Sequence, residues 1–412
     1  MAQDQVIDHL FRYEYGKVVA SLTRVFGVSQ LELIEDAVQD AFHRAVLYFR
    51  NNQVPENPEA WLRKVARNRA IDLLRKARLK KEKEVLTGPS TIAMSDVFSA
   101  FEIEDNQLRL LFTICHPALK QRDQVIFALK TFSGFSQSEI AHGLMISHEN
   151  VKKSLSRARK CIVQNKVEFV VPEGDNLKDR LELVHIVLYL LFNEGFHSSG
   201  KEKLIRKDLV AEALRLNELL INRFNHPNTK ALMALMCFHS ARLDSKITAD
   251  QNLVKLKDQD RSLWNTALIF RGNMLMEEAL KVNEFSKYHF EAAIACEYVK
   301  AGPFSNINWN NVEVFQRNLI ILHPSTIHQL NLCVIINQQR RPSEALKELL
   351  KIDLRELKGK EHLYHSVAAE IYKSLDDKDS ANQHLILALN TVENVAEKRV
   401  IEKKIKQLWH FN

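Results

Sequence analysis

Two stretches of the chain carry the residue types that hold nucleic acid. Residues 61–83 contain ten Lys or Arg against Asp72 and Glu82, and residues 147–166 contain six against Glu149. Cations at this density neutralise phosphates. An asparagine can pair with an adenine edge, and an aromatic ring can stack on an unpaired base. In the first stretch Lys64, Arg67, Arg69 and Arg75 suit phosphate and Asn68 suits a base edge. Trp61 faces either a bound strand or the core beside Leu62. In the second stretch His148, Glu149, Asn150, Lys153 and Ser154 open a segment that could meet base edges, while Lys152, Arg157, Arg159 and Lys160 suit phosphate. Two solvated helix faces would give the same charge pattern. The net charge of +7 says less than this segregation, since residues 1–176 hold 25 basic against 22 acidic side chains.

Catalytic chemistry has no comparable support. The G-x-x-x-x-G-K-[ST], G-x-G-x-x-G and G-x-S-x-G patterns are absent. Cys115, Cys161, Cys237, Cys296 and Cys333 are scattered without C-x-x-C spacing, which fits a reducing cytoplasm. Cys115-His116 has no second ligand pair at metal spacing and reads as a packed thiol. Asn193-Glu194-Gly195 with His197 hints at a pocket, but a helix end capped by Gly195 explains the glycine without one. No catalytic residue, metal or cofactor is therefore expected. Apolar runs such as Ile186 to Phe192 are too short to span a bilayer. The start MAQDQVIDHL has no signal-peptide pattern. A cytoplasmic location without a membrane partner is the expectation.

Helices must position these residues. Residues 3–26 put Val18, Leu22 and Val25 on one side. In 30–50, Leu33, Ala37, Ala41, Ala45 and Phe49 recur every four residues, with Val38, Phe42 and Val46 beside them. Asn57-Pro58 starts the next helix, an Asn cap followed by Pro in the first turn. It runs to about Lys81, with Leu62, Val65, Ala66, Leu73 and Leu74 as its buried stripe. Thr87-Gly88-Pro89-Ser90 is turn chemistry, and Asp96 to Asp105 has four acidic residues and no basic one, so 84–104 reads as a linker. Residues 106–165 form a second helical unit. It begins with an amphipathic helix carrying Leu108, Leu111, Phe112 and Cys115, followed by a helix over 121–132. Then helices of about 137–144 and 148–163 flank a turn at Met145–Ser147. Ser136 and Ser147 are N-caps, and Ile140, Leu144, Ile146, Val151 and Leu155 are the buried positions. This spacing is that of a helix-turn-helix, although a structural helical hairpin would share it. Beyond Val171 to Gly174 the chain reads as helical to its end. Ala345-Leu346 and Ala381 recur 36 residues apart and Asn331 and His365 recur 34 apart, which suggests stacked helical pairs of the tetratricopeptide type.

Residues 57–81, NPEAWLRKVARNRAIDLLRKARLKK, closely resemble the promoter-melting helix of extracytoplasmic-function sigma factors, through Ala60-Trp61-Leu62, Arg63 to Asn68 and Asp72-Leu73-Leu74-Arg75. Upstream, Glu35-Asp36-Ala37-Val38-Gln39-Asp40-Ala41-Phe42 resembles the helix that docks on the polymerase clamp. Residues 135–160, ending in Ser156-Arg157-Ala158-Arg159, resemble the family's second DNA-binding module. Leu191 to Phe196, Glu291 to Ala295, Tyr364-His365 and the close near Asn394 to Lys398 resemble a subgroup with a C-terminal helical, repeat-containing extension. Two departures concern DNA preference. Met145 stands where the turn commonly has Gly, and His148-Glu149-Asn150 stands where the recognition helix often begins Glu-Gly-Thr.

The resemblance implies an all-α chain. Its sections are a region 2 helical bundle at 1–85, a linker at 86–105, a helix-turn-helix region 4 at 106–170, and a tetratricopeptide-like helical array at 177–412. It implies a factor that binds core RNA polymerase and promoter DNA and initiates transcription. Glu35, Asp36, Gln39 and Asp40 would meet polymerase, Trp61, Lys64, Arg67, Asn68, Arg69 and Arg75 the melted downstream element, and residues 148–160 the upstream element. Such an array usually binds protein or peptide, so the extension suits control in cis and a cytoplasmic regulatory protein. The alternative is a helix-turn-helix regulator with a helical sensor domain, against which residues 57–81 argue.

Overall fold

The computed structural model describes residues 2–51, 54–80, 100–132, 134–144, 146–196, 205–248, 254–357, 359–392 and 395–409. Among them are eighteen α-helices and no strand. The chain packs as two compact units, Met1–Leu220 and Ile221–Asn412.

The first unit opens with a three-helix bundle of α1 (Ala2–Phe26), α2 (Leu31–Asn51) and α3 (Pro58–Lys80). The four-residue spacing in α2 buries Ala37, Ala41, Ala45 and Phe49, with Leu31, Ile34, Val38 and Phe42 beside them. Asn57 caps α3 as its sequence suggests: its Oδ1 accepts from the Ala60 N–H at 2.9 Å, and Pro58 takes the first helical position. The buried stripe of α3 is narrower than expected. Leu62, Ala66 and Ala70 are buried, while Val65, Leu73 and Leu74 are only half-buried. Two alanines at this spacing let α3 lie close to its neighbours. Arg63 clamps it to α1 through the buried carboxylate of Glu14 at 2.8 Å.

Six further helices complete the unit: α4 (Ala100–Ile114), α5 (Gln121–Thr131), α6 (Gln137–Gly143), α7 (His148–Gln164), α8 (Asp175–Phe196) and α9 (Lys207–Phe224). Ser136 and Glu139 form a reciprocal capping box at the start of α6, with bonds of 3.1 and 2.7 Å. Ser147 caps α7 by accepting from the Asn150 N–H at 3.2 Å. The turn residue Met145 lies outside the described residues, as do Thr87 to Ser90 of the expected linker. The end of that linker is helix instead: α4 begins at Ala100, and Ile103 is buried. Helix α8 packs on α4 and α5. Arg180 of α8 donates to the Phe112 carbonyl, and Arg215 of α9 donates to Gln107 at 3.2 Å. The first unit therefore ends within α9, not near residue 176. Gly195 does not cap a helix. It stands in the last turn of α8, where a Cβ would lie 2.8 Å from the Val210 backbone N, so the glycine is required by the close approach of α9. His197 lies outside the described residues.

The second unit continues with α10 (Pro227–Ser240), α11 (Thr266–Ala279), α12 (Lys287–Lys300), α13 (Trp309–Leu322), α14 (Thr326–Gln338), α15 (Pro342–Leu349), α16 (Glu361–Ser374), α17 (Lys378–Thr391) and α18 (Val395–Trp409). From α12 onward each helix packs on the next. The turn before α15 uses Arg340 and the turn before α17 uses Asp376, both at positive φ (59° and 63°). These equivalent turns lie 36 residues apart, matching the interval read from Ala345 and Ala381. The fully buried Ala345, Ala368 and Ala388 mark where the hairpins meet.

Candidate nucleic-acid interface

The first cationic stretch is α3. With 100° per residue, its buried Leu62, Ala66 and Ala70 define one face. Trp61, Lys64, Asn68 and Arg75 fall on the opposite one, spaced by three, four and seven residues. Lys64, Asn68 and Arg75 are exposed, Arg67 is half-buried at the flank of this face, and Arg69, seven residues from Leu62, is half-buried on the side that packs on α2. Arg69 is drawn to Asp40 of α2 at 3.0 Å. Asp40 also receives Arg44 at 2.9 Å.

Trp61 is half-buried, between the two placements left open for it. Its ring packs 5.3 Å from buried Phe49 and stacks on Tyr48 at 5.2 Å with an interplanar angle of 26°. One side of the pair stays accessible as the wall of an open hollow of about 410 Å³ lined by Arg44, Leu47, Tyr48, Asn51, Trp61 and Val65. The hollow combines an aromatic platform with one cation and one amide, a set suited to an unstacked base. Tyr48 is the second aromatic of this hollow, one that no motif in the sequence singles out. Its signal is an aromatic placed outward beside the buried Phe49 on an otherwise regular amphipathic helix.

The second stretch is α7. Val151, Ser154, Leu155, Ala158 and Ile162 are buried, and His148, Glu149, Asn150, Lys152, Lys153, Arg157 and Lys160 are exposed. Ser154 must be corrected: it faces the core, where its hydroxyl accepts from Arg157 at 3.0 Å, so it lies off the face that could meet base edges. Lys153 pairs with Glu149 at 2.7 Å. Arg157 is held by the buried carboxylate of Asp123 in α5, at 2.8 and 3.3 Å. Arg159 sits at the edge of α7 and reaches back to α2, pairing with Glu35 at 2.6 Å and Glu32 at 2.7 Å.

The acidic residues of α2 accordingly divide. Glu35 is fully buried, and its carboxylate also accepts from the Thr131 hydroxyl at 2.7 Å. Asp36 is exposed and Gln39 half-exposed. Partial desolvation by the surrounding protein, and then the neighbouring Glu32, push the Asp36 carboxyl above its usual range even though its surface stays open, against the pull of Arg159 and Lys130. Burial lowers the Lys130 ammonium, an effect Glu35 offsets in part. Cys115 is fully buried, which pushes its thiol well up and leaves it unreactive. Among the described residues no group of His, Cys, Asp and Glu could hold a metal ion, and no helix is long and apolar enough to cross a membrane.

The chain matches the family described as Sigma-70 region 2 over residues 10–80 and Sigma-70 region 4 over residues 111–162. Residues 180–280 match a family of unknown function, DUF6596. An uncharacterized protein of Rhizobium meliloti is 28% identical over 402 residues, covering 95% of this chain and 93% of its own. No solved structure matches. The region 2 match covers the three-helix bundle that carries the α3 face, and the region 4 match covers the capped pair α6 and α7. Region 2 followed by region 4 makes the chain a sigma factor of the extracytoplasmic-function type, which directs promoter-specific initiation of transcription and carries a C-terminal helical extension.

Proposed function

We propose a division of labour within this sigma factor. Residues 1–85 act at core polymerase and the melted downstream element, and residues 106–170 act at the upstream element. On α3, Lys64 and Arg75 hold phosphates of the melted strand, with Arg67 at its margin and Arg69 on the α2 side, and Asn68 pairs with a base edge. Trp61 and Tyr48 supply the stacking platform. On α7, His148, Glu149, Asn150 and Lys153 face base edges in the major groove and Lys152 and Lys160 lie toward phosphate, while Arg157 and Arg159, engaged by Asp123 and by Glu32 and Glu35, border that contact. Asp36, Gln39 and Asp40 face basic helices of the polymerase, whereas the buried Glu35 is held inside the chain by Arg159 and Thr131 and stands apart from that contact. The protein works in the cytoplasm without a cofactor, the polymerase supplying catalysis. The extension is a tetratricopeptide-like array that controls the sigma regions in cis and receives a cytoplasmic protein.

The observation that carries this reading is the single face of α3 on which Trp61, Lys64, Asn68 and Arg75 fall together, beside the Tyr48–Trp61 stack. Its test uses reconstituted polymerase on duplex and on pre-melted promoter templates. Trp61→Ala and Tyr48→Ala should each slow initiation on the duplex by roughly tenfold, the value of about 1–3 kcal/mol for one stacked base. Upstream binding should be unchanged, and the pre-melted template should recover part of the loss. Equal rates for wild type and variants on both templates would remove the platform from the mechanism.

A further inference from the structure

The segment between α10 and α11, within the second unit, gathers three cations around one indole. Trp264 is buried and fixed by its Nε1–H, which donates to the Ser245 hydroxyl at 2.8 Å. The Arg261 guanidinium lies 4.1 Å from the centroid of the six-and-five-membered ring system and the Arg242 guanidinium 5.9 Å from it. Arg242 is 8% exposed, and Lys246, four residues on, is 7% exposed. Arg242 donates to Nδ1 of His239 at 3.1 Å. Arg261 donates to the backbone carbonyls of Ala301 and, at 3.1 Å, of Tyr298. Among the described residues neither arginine pairs with a carboxylate. The cations act on one another instead. Burial, and then Arg242, bring the Lys246 ammonium down to about 7. Burial brings Arg242 down to about 10, an effect that Tyr298 opposes and Arg261 deepens. Burial also pushes the Tyr298 phenol up to about 12, so it stays protonated at neutral pH and brings no counter-charge.

Buried arginines are ordinarily paired, because a desolvated charge without a mate is costly. Here like charges are crowded together at a buried place, and an anion would offset them. We propose that Arg242, Lys246 and Arg261 bind a small dianionic oxyanion, a phosphate ion or a phosphate monoester, in the C-terminal extension. A guanidinium fork matches two oxygens of such a group, and the shared indole keeps the two forks near one another. The charge count favours a dianion over a single carboxylate. A dianion offsets both fixed guanidinium charges, and the lysine, readily discharged, adjusts the remainder. Arg261 is half-buried, with exposed Ser262 and Leu263 beside it, so the cluster reaches the surface at that edge. The site shares no residue with the promoter or polymerase contacts, so it stands or falls apart from them.

The test titrates the full-length chain with inorganic phosphate, methyl phosphate and acetate by calorimetry at constant ionic strength. Wild type should bind phosphate saturably, and acetate about tenfold more weakly for want of the second charge. Arg242→Gln and Arg261→Gln each keep a hydrogen-bond donor but remove the charge, and each should weaken phosphate binding by about tenfold or more. Arg261→Gln carries the comparison if Arg242→Gln fails to fold. Arg355→Gln, at an exposed arginine elsewhere in the same unit, should bind phosphate as wild type does. Methyl phosphate bound as tightly as phosphate would support the proposal with a monoester as ligand, and phosphate bound alone would support it with the free ion. Three results overturn it: no saturable phosphate binding by wild type, unchanged affinity in the folded Arg242→Gln or Arg261→Gln chain, or acetate bound as tightly as phosphate. A loss in Arg355→Gln equal to that in the cluster variants would also overturn it, by showing a general effect of surface charge.

Discussion

Arg157 is exposed on the recognition helix, yet its charge is already engaged. Asp123 holds it at 2.8 Å, with the arginine side chain 57% and the carboxylate 5% exposed. That bond also raises the arginine further above its ordinary value. A lysine released onto a phosphate contributes about 0.9 to the slope of log affinity against log salt. Lys160→Ala, on the same exposed arc, should therefore make that slope shallower by about 0.9. Arg157→Ala should change it by less than about half as much, because the arginine brings little uncompensated charge to the DNA. Its cost should appear in stability instead. Removing the guanidinium takes a charge-assisted partner from a buried carboxylate, and discounting for the solvent around the arginine leaves about 1 kcal/mol. Lys160→Ala should stay within about 0.5 kcal/mol of wild type. The assay is anisotropy of a labelled upstream duplex with polymerase-bound factor from about 50 to 200 mM salt, paired with urea unfolding. A full unit of slope lost in Arg157→Ala, with an unchanged urea midpoint, would refute the claim that Asp123 retains the arginine.

Two further outcomes concern the extension. Gly272→Ala places a Cβ 2.6 Å from Cε1 of the fully buried Phe238 ring; the overpacking should cost about 1–3 kcal/mol in urea unfolding, and an unchanged midpoint would contradict the packing of α11 on α10. His365 and His384 stand with their Nδ1 atoms 3.0 Å apart, and burial lowers both below the usual 6.5, with His384 lowering His365 further. A depressed histidine favours the neutral form in the fold, so its stability is complete above 6.5 and is lost as pH falls below that value. Amide exchange over α16 and α17, corrected for intrinsic rates, should accelerate between about pH 7 and 5. A pH-independent pattern would contradict the pairing.

The readable parts of this chain are those whose physics is local. The capping box at Ser136 and Glu139, the Ser147 cap and the four-residue alanine spacing of α2 each need only a few neighbouring residues to be recognised. The 36-residue interval of the second unit is legible in another way, as the recurrence of one short local pattern, and it reappears in the turns at Arg340 and Asp376. What the sequence leaves hidden depends on which helix meets which. Ala100 to Asp105 reads as linker because its charge is all acidic, but Ile103 finds a core and the helix forms. Gly195 has the look of a cap until Val210 is seen pressing on it. Ser154 and Glu35 are polar residues in apparently exposed motifs, and both turn inward: Ser154 onto the buried face of α7, where Arg157 of the same helix donates to it, and Glu35 toward Thr131 and Arg159 of distant helices. The boundary at α9 is of the same kind, since Arg180 and Arg215 tie α8 and α9 to α4 through contacts that span many residues.

The central claim is that this chain gives core polymerase its promoter choice through two separate DNA contacts. It is tested most directly by transcription from a randomised promoter library with purified core enzyme and the full-length protein. The account predicts initiation from templates enriched in two short elements at fixed spacing. Asn68→Ala should relax preference only in the downstream element and Asn150→Ala only in the upstream one, each by about 1–3 kcal/mol at one position. A protein that never associates with core polymerase, yet binds duplex DNA tightly by itself, would contradict it.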